Sequence, residues 1–97
     1  MGRQVKIMVI DDEPEILISF QQIFEETGLY VFSTDRGKKA IQELQERKYD
    51  IAFIDMMMPE MDGITTMTEL KKINPDLMAI MISGFRDEDK VEKADRK

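Results

Sequence analysis

Ile51-Ala52-Phe53-Ile54-Asp55-Met56-Met57-Met58-Pro59 is a short, almost wholly apolar run that ends abruptly in a carboxylate, followed by a proline-bearing loop. Bounded by Tyr49-Asp50 before and Pro59 after, a run this brief suits a strand buried on both faces. Burying each of its large side chains contributes roughly 1.5–3 kcal/mol. An Asp at the carboxyl end of such a strand is costly unless solvent, a cation or a partner receives it. In open parallel α/β sheets, ligands bind at that end of the strands. Asp55 is therefore the first candidate for a working residue.

Upstream, Val5 to Ile10 is a second apolar strand, and it too runs into carboxylates, Asp11-Asp12-Glu13. Pro14 fits the first turn of a helix, where its missing N–H is not needed. Ile16, Leu17, Phe20, Ile23 and Phe24 then recur as one apolar helical stripe, and Gly28 is placed as a left-handed stop. Tyr30 to Ser33 reads as a short strand of strong β formers. Gly37 opens a second helix carrying Ala40, Ile41 and Leu44.

Downstream, the loop from Met56 to Gly63 leads into a third helix with Ile64, Met67, Leu70 and Ile73 along one side. Asn74-Pro75-Asp76 ends it, because the residue before proline avoids the α region. Leu77 to Ile82 is another buried-type strand, closed by Ser83-Gly84. From Asp87 onward a charge-rich helix former carries only Val91 and Ala94 as apolar residues. The order βαβαβαβα predicts an α/β fold: a doubly wound parallel sheet with right-handed crossovers and helices on both faces. About four strands and four helices are expected, within one domain spanning 1–97.

Composition narrows the chemistry. With 97 residues, 42% hydrophobic and 35% charged, the chain can bury a real core. A net charge of −6 argues against a nucleic-acid surface and fits a cation site or a basic partner. The absence of cysteine excludes disulfides and thiolate metal sites, and suits a reducing cytoplasm. The absence of histidine removes the usual zinc ligand and the commonest general base. No signal-peptide h-region is present, and no apolar run approaches the roughly 20 residues of a membrane span. The expectation is a cytoplasmic protein that binds neither membrane nor nucleic acid.

In flavodoxin-like strand order the first and third strands are neighbours. Their carboxyl ends would then bring Asp11, Asp12 and Asp55 into one acidic pocket. Carboxylates that close repel one another and recruit a cation. All-oxygen ligands point to Mg²⁺, which takes a few carboxylates with water and phosphate. Ser83, at the end of the fourth strand, would lie across the same edge and could donate to an anionic oxygen there. Each residue also has an ordinary reading. Asp12 would cap the first helix, with Glu15 completing a capping box. Asp62 would cap the third helix, Ser83-Gly84 would be a turn, and the three methionines gap-filling packing. The joint placement of polar groups on one rim favours a site.

Val-Ile-Asp11-Asp12-Glu, Phe-Ile-Asp55-Met-Met-Met-Pro59-Glu-Met-Asp-Gly63 and Ile-Met-Ile-Ser83-Gly84 resemble the three sequence blocks of the receiver domain of two-component response regulators. The resemblance spans essentially the whole chain in order. It implies that Asp55 accepts a phosphoryl group from the phosphohistidine of a histidine kinase, as an acceptor module and not as an enzyme on a separate substrate. It further implies that Asp11 and Asp12 hold Mg²⁺ beside Asp55, with the Met57 backbone carbonyl as a further ligand. Ser83 matches the residue that turns toward the phosphoryl oxygens, and Gly84 the small residue beside it.

Receivers of this family continue into a fifth strand ending in Lys-Pro and a fifth helix, which have no counterpart here, so the domain reads as incomplete at its C-terminus. The fourth strand would become an apolar edge. Pairing with a second copy is expected, as a homodimer or a segment-swapped oligomer. The alternative function is a receiver-like assembly module whose phospho-switching is disabled for want of the lysine. A Mg²⁺-dependent phosphatase with an aspartyl nucleophile is a third reading, but it wants an Asp two residues after the nucleophile, where this chain has Met57.

Overall fold

Short apolar runs alternating with helix formers leave few ways to bury every run at once, and a parallel sheet wrapped by crossover helices is one of them. The computed structural model of the chain has that architecture, and it describes residues 4–58 and 60–82. In order come β1 (Lys6–Ile10), α1 (Pro14–Glu26), β2 (Tyr30–Thr34), α2 (Gly37–Glu46), β3 (Ile51–Asp55), α3 (Gly63–Ile73) and β4 (Met78–Ile82). The four strands are all parallel, in the order β2-β1-β3-β4. The expected α/β class and the adjacency of the first and third strands are both observed. The expected fourth helix lies outside the described residues, as do Pro59, Ser83 and Gly84. Among the described residues, no helix is long and apolar enough to cross a membrane.

Register fixes what each face of the sheet carries. Met8 pairs with Phe32 and Ala52, Ile10 with Thr34 and Ile54, and Ala52 and Ile54 with Ala79 and Met81. These side chains point to the face covered by α2 and α3, where Ala40, Leu44, Leu70, Tyr49 and Leu77 complete the main core. Ile7, Val9, Ile51 and Phe53 point the other way. There α1 lays Phe20 and Phe24 on Phe53, with ring centroids 5.2 and 5.8 Å apart.

Two helical stripes differ from expectation. In α1 no residue is fully buried, and Ile23 is 57% exposed although it belongs to the expected apolar stripe. The helix sits mainly over β2 and β1, so only part of its apolar face meets the sheet. In α3 the buried residues are Gly63, Thr66 and Leu70, while Ile64 is 58% exposed and Ile73 37%. Thr66 can occupy an inner position because its hydroxyl donates to the Asp62 carbonyl oxygen at 2.9 Å, leaving no unsatisfied polar atom. Its neighbour across the helix pair is Gly37, where a side chain would collide with the Thr66 hydroxyl.

Local signals held elsewhere. Gly28 has φ +83°, the left-handed conformation expected after α1. Asp62 is the N-cap of α3, its carboxylate accepting the Thr65 N–H at 2.8 Å. β2 runs one residue further than expected, through Thr34, and β4 begins at Met78 with Leu77 buried just before it.

Candidate functional site

Because Ile10 and Ile54 are direct partners in adjacent parallel strands, Asp11 and Asp55 follow at the same level of the sheet. The Asp11 N–H continues the ladder by one step, donating to the Thr34 carbonyl at 3.1 Å. Asp11 is 1% exposed, Asp55 is fully buried and Asp12 is half-buried. One carboxylate oxygen from each of the three lies within 4.8 Å of the others. The acidic pocket expected from chain topology is therefore present, with Asp11, Asp12 and Asp55 in it together.

Two of the carboxylates are held by the backbone that follows them. Asp11 Oδ1 accepts the Glu13 N–H at 2.9 Å, and Asp55 Oδ1 accepts the Met57 N–H at 3.2 Å. Such i-to-i+2 bonds are short Asx turns that fix a carboxylate against its own chain. Asp12 does not cap the first helix. The N-cap of α1 is Glu13, whose side chain makes no capping bond, and Pro14 at N1 removes one of the donors that need capping. The capping box with Glu15 is thus not formed, and Asp12 stays with the acidic group.

The loop after β3 is clamped at both ends. Met56 donates its N–H to the Ile82 carbonyl at 3.1 Å and accepts the Gly63 N–H at 3.0 Å. Ile82 itself pairs with Asp55, so β4 reaches the same rim. The three consecutive methionines divide their roles: Met58 enters the core, while Met56 and Met57 are 40% and 53% exposed beside the acidic group. Of the expected core and loop packing, Met58 takes the core part.

Sequence reading missed the third strand end on this rim. Asp12 also lines a cavity of about 280 Å³ with Asp35, Arg36, Gly37, Met58, Glu60 and Met61. Thr34 holds this turn by accepting the Arg36 N–H at 3.3 Å. The Arg36 side chain is 58% exposed, and its nearest acidic contact is Asp35 at 3.9 Å. The signal was available: β2 lies beside β1, so its carboxyl end must emerge next to Asp11 and Asp12.

Three buried or half-buried carboxylates at this spacing carry mutual repulsion that a small, hard cation relieves. The donor set is oxygen only, which fits Mg²⁺ and offers zinc neither of its usual nitrogen or sulfur ligands. The Met57 segment is anchored at the same rim through its N–H to Asp55.

Comparison with known proteins agrees with this layout. The family model described as the response regulator receiver domain matches residues 7–96. The response regulator receiver protein CpdR of Brucella abortus is 32% identical over 80 residues, covering 82% of this chain and 67% of CpdR. The transcriptional regulatory protein ZraR of Klebsiella oxytoca is 30% identical over 93 residues, covering 96% of this chain. This chain spans only 21% of that ZraR's length. Among solved structures, the response regulator TrrA of Thermotoga maritima, in complex with Mg(2+)-BeF, superposes with a TM-score of 0.77 at 26% identity. That superposition covers 84% of this chain and 71% of TrrA.

Proposed function

This chain belongs to the response regulator receiver domains of two-component signalling, and from that premise we propose that it receives a phosphoryl group on Asp55 from a histidine kinase. One observation carries the proposal: carboxylate oxygens from Asp11, Asp12 and Asp55 stand within 4.8 Å of one another at the carboxyl rim of adjacent strands. Asp11, Asp12, Asp55 and the Met57 backbone carbonyl are the groups that would hold Mg²⁺. When bound, the ion offsets the negative charge that nucleophile and phosphoryl group bring together.

A carboxylate oxygen of Asp55 attacks phosphorus in line with the phosphorus–nitrogen bond of a phosphohistidine. The new oxygen–phosphorus bond forms as the phosphorus–nitrogen bond breaks, and the imidazole nitrogen leaves with the bonding pair. The Met57 N–H holds the Asp55 oxygen that accepts it, which orients the carboxylate for attack by the other oxygen. Ser83 would donate its hydroxyl to a phosphoryl oxygen, with Gly84 leaving room beside it. Both lie outside the described residues, and their roles rest on the resemblance of their sequence block. The acyl phosphate adds charge and acceptor oxygens, by which a neighbouring loop is drawn in. The protein acts as an acceptor in the cytoplasm and turns over no separate substrate.

TrrA was solved in complex with Mg(2+)-BeF, and a small-molecule phosphoryl donor with Mg²⁺ tests covalent uptake in this chain. Incubation with Mg²⁺ and acetyl phosphate should add one phosphoryl group by intact-mass measurement, and Asp55→Asn should abolish the gain. An unmodified wild-type chain, or label that persists in Asp55→Asn, would overturn the assignment. The second partner we propose is another copy of this chain.

A further inference from the structure

The rim that gathers Asp11, Asp12 and Asp55 has a cationic flank on its β2 side. Asp12 lines two cavities, one of about 280 Å³ shared with Asp35 and Arg36, the other of about 400 Å³ shared with Asp35 and Lys39. Arg36 and Lys39 are the cations among the described residues lining them, and the other charged residues there, Asp12, Asp35 and Glu60, are acidic. The turn that carries the two cations is tied to the acidic group. Thr34 accepts the Asp11 N–H at its carbonyl and the Arg36 N–H at its hydroxyl.

Folding gives these two side chains little to do. Arg36 approaches Asp35 at 3.9 Å, with both side chains more than half exposed. Lys39 is exposed and has no ion pair among the described residues. With Lys38 they stand at the start of α2, whose first turn contains no acid. Cations there oppose the helix dipole, so the stability of α2 does not account for them. Local rules broken in this way are expected at functional sites.

We propose that Arg36 and Lys39 are positioning residues that draw the anionic phosphoryl donor toward Asp55, while weakening the hold of the acidic pocket on Mg²⁺. This rests on the acceptor reading of Asp55. A phosphoryl dianion approaching three carboxylates meets repulsion that one divalent ion does not cancel, in a chain of net charge −6. Two positive charges beside Asp12 lower that barrier, and the same charges repel Mg²⁺. Neutralising the flank therefore moves donor and metal in opposite directions. A damaged fold would weaken both.

Initial rates of phosphoryl uptake from acetyl phosphate and from phosphoramidate, followed by intact mass at saturating Mg²⁺, test this role. At low ionic strength Arg36→Gln/Lys39→Gln should lower kcat/KM by about five- to tenfold, through KM, with both donors. Near 1 M salt, where the screening length is about 3 Å, the difference should fall below about twofold. In a titration followed by amide resonances, the same variant should bind Mg²⁺ several-fold more tightly than the wild type. Lys48→Gln/Lys72→Gln removes equal charge just before β3 and in the last turn of α3, and should match the wild type in both measurements. Unchanged rates at low salt, a difference that persists at high salt, or a loss with one donor alone would overturn the proposal. So would Mg²⁺ binding that fails to tighten, or an equal effect in the distal variant. A wild type that takes up no phosphoryl group would overturn the acceptor reading itself, and this role for the flank with it.

Discussion

A methyl group on Gly63 would collide with the Asp55 carbonyl oxygen and come to 2.7 Å from the Met56 Cα and 2.9 Å from the Met81 Cε. Two of those neighbours are backbone at the end of β3 and in the loop after it, and cannot turn aside as a side chain can. Gly63→Ala should therefore cost about 1–3 kcal/mol in urea unfolding and slow phosphoryl uptake at Asp55. An unchanged midpoint with full uptake would show that the loop is not held by this contact. In the sequence, Asp62 read as a helix cap and Gly63 as the end of the loop before the helix. The cap was legible because an Asp before a helix has a local partner, here the Thr65 N–H, which also holds the Asp62 carboxyl below its ordinary range. The glycine's second duty was not legible, since it depends on the loop returning to Met56. Asp12 shows the converse: local pattern offered a capping box, but the helix starts one residue later, with Glu13 as N-cap and Pro14 at N1, and Asp12 lies with Asp11 and Asp55.

At the scale of elements, the turn into β3 is tied to α2 through a tyrosine. The buried Tyr49 hydroxyl donates to Glu43 at 2.6 Å, and Glu43 also accepts from Arg47 at 3.1 and 3.2 Å. Burial, and then the Glu43 carboxylate, push the Tyr49 ionisation well above its ordinary 10.0. The folded state thus keeps a proton that the unfolded chain loses, so this contribution is present below pH 10.0 and declines as pH rises beyond it. Tyr49→Phe should lower stability by about 1–2 kcal/mol at neutral pH and flatten the loss above pH 10.0 relative to wild type. Parallel pH profiles for the two proteins would refute the linkage. The helices were legible as helices, but their inward faces were less so. Apolar spacing chose Ile64 and Ile73 for the core, whereas packing against Gly37 chose Thr66, whose hydroxyl is satisfied within its own helix.

For the molecule as a whole, strand order is what turns scattered aspartates into a site. Asp11 and Asp55 are far apart in sequence, and only the β1–β3 adjacency brings them level. That adjacency was legible because the run of alternating strands and helices has few right-handed solutions, and both strands ended in carboxylates. The β2 contribution, Asp35 and Arg36 lining one cavity with Asp12, went unread because the neighbouring carboxylates of β1 and β3 drew the reading to those two strands alone. Titration with Mg²⁺, followed by the backbone amide resonances, addresses the shared pocket most directly. Saturable shifts should centre on Asp11, Asp12 and the 55–57 segment, and vanish in the Asp11→Asn/Asp12→Asn double variant. Absence of saturable shifts in the folded wild type, or their persistence in the double variant, would contradict a cation held jointly by the two strands.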